Sequence, residues 1–160
     1  MAGMQMMLVI GALMMLSVLT LNLNRAQILS DTELSESEYI LTATAIGQTI
    51  INEIGTKAYD QATVSSDTAS LASFAAPNAL GPNTGESYPL LNDVDDYNRL
   101  STTVGSARAG DFTVSCAVAY VDPATPNTIA TVRTRTKRVR MTVTSPFMTT
   151  PVNLVYYKSY

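Results

Sequence analysis

The sequence predicts an α+β fold, in which a long N-terminal α-helix, apolar in its first half and amphipathic in its second, packs on a C-terminal antiparallel β-sheet of three to four strands. Three observations predict it. Residues 1–24 carry no charged side chain, and no proline precedes Pro77. From residue 111 onward, apolar and polar side chains alternate as in half-buried strands. A sheet with one polar face needs a cover on the other, and the amphipathic helix is expected to supply it.

The first element is an apolar helix. From Met4 to Leu21, only Gln5, Ser17 and Thr20 are polar. At ~1.5 Å per residue this segment spans roughly 30 Å, the thickness of the hydrocarbon core of a bilayer. It therefore has to be buried in lipid or in other proteins. A cleaved signal peptide is not expected, because the first basic residue, Arg25, follows the apolar run instead of preceding it.

The second element is an amphipathic helix over residues 31–58, which opens a globular domain predicted over residues 31–160. Ser30 or Thr32 followed by Glu33 is a helix-entry signal, and Lys57 suits a helix C-terminus. The apolar positions that recur at helical spacing, and that should face the sheet, are Ile40, Ala43, Gly47, Ile50, Ile51 and Ile54.

Residues 60–110 are predicted to form a variable loop, because they are rich in Ser, Ala, Asn, Gly and Pro. Asp93, Asp95 and Asp96 are candidate ligands for a hard cation, since clustered carboxylates suit calcium. Their spacing lacks the glycine and closing glutamate of the EF-hand calcium loop. We therefore favour a solvated acidic turn, and no metal or other cofactor is expected.

The sheet is predicted over residues 111–160. Strands are expected at residues 111–121, 137–145 and 152–157, with a further strand over residues 129–135 after a turn at residues 122–127. The single cysteine, Cys116, falls on the inward face of the first strand, and we interpret it as a core residue and not as a redox thiol. The other inward positions are Phe112, Val114, Val118, Tyr120, Val139, Met141 and Val143; the outward ones are Arg133, Arg135, Arg138, Arg140, Thr142 and Thr144.

Composition argues against several classes of function. The chain of 160 residues has a net charge of −3 and no histidine. Nucleic-acid binding would require a basic face, and the absence of histidine removes the commonest general base and zinc ligand. No nucleophile motif or phosphate loop is present, so an enzyme is not expected. The basic residues between Arg133 and Arg140 and the acidic residues at 31–38 and 93–96 are interpreted as complementary patches between copies of the protein.

This layout resembles that of type IV pilins and type II secretion pseudopilins. The resemblance covers nearly the whole chain and rests most on the stretches SEYILTATAIGQTIINEIGTKAYD, DVDDYNRL, and GDFTVSCAVAYVDP through KRVRMTVTSPFMTTPVNLVYY. It implies that residues 1–30 anchor the protein in the inner membrane before assembly and form the core of an extracellular filament afterwards.

The resemblance also implies processing by a prepilin peptidase and a methylated N-terminus at Met1. Gln5 stands where the family usually has a glutamate, so an ion pair with a neighbour's N-terminal amine is not available. Cleavage after Gly3 would instead place Leu8 at that position; we prefer the first frame. The family's proline near residue 22 is absent, which leaves open whether the helix is melted at Asn22.

The implied partners are further copies in a helical filament, the prepilin peptidase, an inner-membrane platform protein and an assembly ATPase, with no nucleic acid required. Two alternatives remain: a minor pilin or pseudopilin of a pilus tip or type II secretion system, and a membrane-anchored extracytoplasmic binding protein that does not polymerise. The residues expected to pack between subunits are Gln5, Met7, Leu8, Gly11, Met14, Met15, Val18 and Leu21.

Overall fold

The computed structural model describes residues 2–66 and 69–160, so Met1, the predicted processing site, lies outside the described residues. The described residues form one α-helix, three short 3₁₀ helices and five β-strands, which confirms the α+β class with one strand more than the upper prediction. The elements are α1 (Ala2–Thr56), 3₁₀ helices at Gln61–Thr63, Leu71–Ser73 and Asp95–Tyr97, and strands β1 (Ser101–Ser106), β2 (Gly110–Asp122), β3 (Thr125–Ile129), β4 (Thr136–Thr144) and β5 (Val152–Ser159).

The chain divides into two compact units between Glu38 and Tyr39. The N-terminal unit, residues 2–38, is entirely α-helical. Its helix continues through Asn22 and Asn24, so the segment that could have been melted is ordered helix. The folded unit, residues 39–160, contains the last turns of α1 and the whole sheet.

Within the folded unit, α1 buries one face, as the helical spacing predicts. Its buried residues are Ala43, Gly47, Ile50, Ile51 and Ile54. Ile40, which is also expected on this face, is only partly covered: its side chain is 37% exposed, one turn before the first buried position.

Gly47 sets how closely α1 approaches the sheet. A Cβ atom at this position would overlap the end of the Leu154 side chain and lie 3.3 Å from Val143 Cγ2. The helix backbone therefore packs directly against side chains of β4 and β5. Any residue larger than glycine at position 47 would require the helix or these side chains to shift.

The C-terminus of α1 is capped by the sheet. The last carbonyl groups of a helix have no partner within it. Here the Lys158 ammonium, on β5, donates hydrogen bonds to the Gly55 carbonyl at 2.8 Å and to the Lys57 carbonyl. A cation at this end also interacts favourably with the helix dipole.

The strands form an antiparallel sheet in the order β1-β2-β4-β5, and β3 pairs with the end of β2. Every predicted inward position of β2 and β4 is buried, including Cys116. All of them except Tyr120 pack against the buried face of α1 in one apolar core, and Tyr120 belongs to a second cluster with Tyr59, Phe74 and Leu80.

Three differences from the predicted strands were found. β1 lies inside the predicted loop. Its sequence STTVGS has no apolar alternation that would predict a strand, and backbone pairing with β2 holds it in place. β3 occupies part of the predicted turn; Pro126 is tolerated there because β3 is an edge strand. Residues 130–135 form no strand.

Candidate functional site

The first candidate site is the apolar surface of the N-terminal unit. All the predicted packing residues from Gln5 to Leu21 lie on α1, and all are exposed in the isolated chain. With 3.6 residues per turn, Met7, Gly11, Met14 and Val18 share one side of the helix. The opposite side is also apolar, since Leu13 and its neighbours are exposed there.

Two polar side chains of this segment, Ser17 and Thr20, bond within the helix. Ser17 Oγ donates to the Leu13 carbonyl at 2.9 Å, and Thr20 Oγ1 donates to the Leu16 carbonyl at 2.8 Å. A polar group in lipid or in a dry helix bundle needs such an internal partner. By length and composition, α1 is apolar enough to cross a membrane.

The second candidate site is a buried lysine in the folded unit. Lys137 is at the start of β4, on the same face as Val139 and Met141, and is 0% exposed. Its ammonium nitrogen donates to the Tyr59 carbonyl at 2.8 Å, to Asp60 Oδ2 at 2.9 Å and to Asp95 Oδ1. All three protons of the ammonium group therefore have acceptors.

Aromatic rings enclose the ammonium group. Lys137 Nζ lies 4.2 Å from the centre of the Tyr59 ring, 5.2 Å from that of Tyr120 and 6.0 Å from that of Phe74. Tyr160 packs edge-on against Phe74, with ring centres 5.1 Å apart. The negative faces of the rings attract the cation, and their bulk excludes water from it.

Asp60 is held from two directions. It caps the 3₁₀ helix Gln61–Thr63, where Oδ1 accepts a hydrogen bond from the Ala62 amide at 3.2 Å. Oδ2 accepts from the Ala75 amide at 2.9 Å as well as from Lys137. This carboxylate therefore has backbone donors of its own besides the lysine.

Asp95 reaches the lysine from the segment before β1. Backbone hydrogen bonds from the Ala58 amide to Asn92 and from the Val94 amide to Ala58 bring this segment beside the end of α1. Within the described residues, the Asp95 carboxylate has a single hydrogen-bond donor, the Lys137 ammonium.

Burial and hydrogen bonding give these carboxyl groups different pKa values. Burial alone would raise the pKa of Asp60, but the hydrogen bonds from Lys137 and the Ala75 amide outweigh it and hold that pKa below its usual range. Burial dominates at Asp95 and raises its pKa despite Lys137. Burial and the charge of Asp96 raise the pKa of Asp93 to about 7.

The acidic segment is buried and not solvated, so the interpretation as a solvated turn was wrong. Asp93, Asp95 and Asp96 are at most 3% exposed. The segment folds inward because Asp93 Oδ1 accepts the Asp95 amide at 2.7 Å and Asp96 Oδ2 accepts the Asn92 amide at 3.0 Å. Among the described residues, no group of three or more possible ligands is arranged to hold a metal ion.

Several members of the predicted basic cluster are used inside the chain, while the expectation of complementary patches between copies stays a prediction for exposed charges such as Arg140 and most of those at residues 31–38. Lys137 bonds Asp95, and Arg133 Nε donates to the Phe74 carbonyl at 2.7 Å. Arg138, predicted to point outward into solvent, is buried and donates to the carbonyl of Asn127, on β3, at 2.8 Å. Arg140 is exposed, as predicted.

One sequence signal did point to the buried lysine. Lys137 lies an even number of positions from Val139, Met141 and Val143, so strand alternation alone places it on the same inward face. Its partners carry no such signal, because Asp60 and Asp95 are distant in sequence and are brought together only by the fold.

Comparisons with protein-family models, with curated proteins and with solved structures found no match to this chain.

Proposed function

We propose that the protein is a structural subunit of an extracellular filament of the type IV pilus kind, which polymerises through its N-terminal helix. The observation that carries this proposal is the exposed, uncharged surface of α1 over residues 2–24. Burying one such Leu, Ile or Met side chain stabilises by about 1.5–3 kcal/mol relative to water. A helix with this surface has to be enclosed, first by lipid and then by other copies of itself.

Features of the helix favour enclosure by other copies over permanent residence in lipid. Lipid tails are as apolar as leucine, so helices associate in membranes through close packing. Nothing lies within 4 Å of a Cβ built at Gly3 or Gly11, which leaves these positions open to a neighbouring backbone. The methionines, such as Met7 and Met14, are flexible enough to fit several neighbours.

Assembly of this kind requires a prepilin peptidase, an inner-membrane platform protein and an assembly ATPase as partners. Gln5 then takes part in subunit packing as a neutral hydrogen-bonding group and not as a charge. A buried glutamine needs a hydrogen-bond partner but avoids the cost of an unpaired buried carboxylate.

The test is electron microscopy of filaments sheared from cells that express wild-type protein, Leu13→Asp or Leu90→Asp. Leu90 is an exposed leucine of the folded unit, 80% exposed, and serves as the matched control. We expect Leu13→Asp to abolish filaments and Leu90→Asp to retain them. Normal filaments from Leu13→Asp would contradict the proposal.

A second variant separates assembly from membrane insertion. Gly11→Leu keeps the helix apolar, so the protein should remain in the membrane fraction, but the larger side chain blocks close approach of a neighbouring helix. We expect fewer or shorter filaments. A wild-type protein that stays monomeric in the membrane and gives no filaments would instead favour the membrane-anchored binding protein.

A further inference from the structure

We propose that Lys137 and Asp95 condense within the folded protein to an intramolecular amide bond, with Asp60 as the group that transfers protons. This bond would join β4 to the 3₁₀ helix Asp95–Tyr97 that precedes β1. The proposal concerns the folded unit alone and does not depend on filament formation.

The first argument is the position of the reacting groups. Lys137 Nζ is in direct contact with Asp95 Oδ1, and both side chains are almost completely shielded from solvent, at 0% and 4% exposure. Fixing two reactants in contact replaces a bimolecular encounter by a reaction within one molecule, which accelerates it by many orders of magnitude.

The second argument is the dry environment. In bulk water an ammonium and a carboxylate do not condense to an amide, because each is strongly hydrated in its charged form. Here the rings of Tyr59, Phe74 and Tyr120 lie around the nitrogen, and Lys137 is 0% exposed to solvent. Condensation converts a buried ion pair into a neutral amide, which removes the desolvation penalty of both charges.

The third argument is a second carboxylate in contact with the same nitrogen. Asp60 Oδ2 lies 2.9 Å from Lys137 Nζ and 3.4 Å from the Tyr120 hydroxyl. Its backbone donors, the amides of Ala62 and Ala75, keep it in place while the lysine reacts. Asp95, whose carboxylate has no donor besides the lysine among the described residues, is the one free to become the electrophile.

The reaction balances without any co-reactant. The Lys137 ammonium gives a proton to the Asp95 carboxylate, which leaves a neutral amine and a carboxylic acid. The nitrogen lone pair then attacks Asp95 Cγ and forms the C–N bond. Asp60 takes a proton from the nitrogen and passes it to the departing hydroxyl group, so that the C–O bond breaks and one water molecule leaves.

The protonation states fit this sequence of steps. Because burial raises the pKa of Asp95, the neutral acid that the attack requires is accessible. The pKa of Asp60 is held low once its hydrogen bonds outweigh burial, so Asp60 is available as the carboxylate base.

The test is mass spectrometry of the full-length chain purified in detergent, both intact under denaturing conditions and after trypsin digestion. The wild-type protein should be lighter than its sequence by one water molecule. Trypsin should no longer cut after Lys137, and a branched peptide should join residues 58–99 to residues 136–138. Unmodified Lys137 and Asp95 in the folded wild-type protein would overturn the proposal.

Two variants identify the bond. Lys137→Arg keeps a buried cation but cannot form the amide, so it should have the full mass of its sequence. A water loss that persists in Lys137→Arg, as from a cyclic imide at an aspartate, overturns the proposal. Asp95→Asn should cross-link by releasing ammonia and give a product identical in mass to cross-linked wild type.

A third variant tests the role of Asp60. Asp60→Asn keeps a similar shape but removes the carboxylate base, and it should slow cross-linking by roughly 100-fold or more, the usual effect of general acid–base catalysis. The cross-linked fraction is followed over time in freshly synthesised protein. An Asp60→Asn protein that cross-links at the wild-type rate overturns the assignment of Asp60.

Discussion

In most proteins apolar side chains are buried and charged ones are exposed, and the two units of this molecule depart from that rule in opposite ways. The N-terminal unit exposes leucines and methionines such as Leu13 and Met15, whereas the folded unit buries a lysine and several aspartates. Buried charges need partners, and the folded unit supplies them from its own chain, at Asp60 and Asp95. Exposed apolar groups also need partners, and the described residues 2–38 of the N-terminal unit leave theirs exposed. The folded unit therefore satisfies its unusual side chains internally, whereas the apolar surface of the N-terminal unit is the part that the proposed function assigns to a membrane and to further copies.

The largest effect on the folded unit is expected when its buried cation, Lys137, is removed. Lys137→Ala leaves Asp60 and Asp95 buried without their partner, and loss of one member of a buried ion pair costs about 3–5 kcal/mol. We expect at least this fall in the free energy of unfolding, because Lys137→Ala also prevents the proposed amide, and we measure it by denaturant titration of the full chain in detergent. Arg140→Ala, an exposed neighbour on the same strand, is the control and should change the free energy by less than about 0.5 kcal/mol. Equal denaturation midpoints for the two variants would contradict the role given to Lys137.

A second prediction compares the two parts of α1. Ile54 is fully buried against the sheet, and truncation of such a residue to alanine costs about 2–5 kcal/mol because it leaves a cavity. We expect this loss for Ile54→Ala and no change in the unfolding of the folded unit for Leu13→Ala. The same titration measures both. A destabilised folded unit in Leu13→Ala would show that the two units are not independent.

A third prediction uses pH to test the buried acidic segment. The pKa of Asp93 is raised to about 7 in the folded protein, mainly by burial, so above its unfolded value of 3.8 the folded state binds more protons than the unfolded state. The stability that protonated Asp93 confers is complete below pH 3.8 and is lost as pH rises through 7. Between pH 5 and pH 8, wild type should lose about 2–3 kcal/mol more than Asp93→Asn, because each pH unit between 5 and 7 costs about 1.4 kcal/mol. Parallel pH profiles for the two proteins, measured by thermal or denaturant unfolding, would show that Asp93 is not the responsible group.

Local patterns in the sequence predicted the apolar core well but missed the charged cluster. The alternation from Phe112 to Tyr120 and the helical spacing from Ala43 to Ile54 each reflect one element with one buried face, and both were confirmed. β1 was missed because its position depends on backbone pairing with β2 and not on its own side chains. The Lys137 cluster was missed because its members come from three separate segments of the chain. A pattern within one segment does not show which residues of another segment contact it.

The smallest expected effect concerns Cys116, which tests whether the core of the folded unit behaves as an ordinary apolar interior. Burial raises the pKa of its thiol to about 11, so at pH 8 roughly one molecule in a thousand carries the reactive thiolate. We expect iodoacetamide to leave Cys116 unmodified in the folded protein and to label it fully in denaturant, as read by mass spectrometry. Because Cys116 is the single cysteine, any labelling reports on this site alone. Rapid labelling of the folded protein would mean that the sheet opens to solvent at β2, and the folded unit would then be less self-sufficient than its buried contacts indicate.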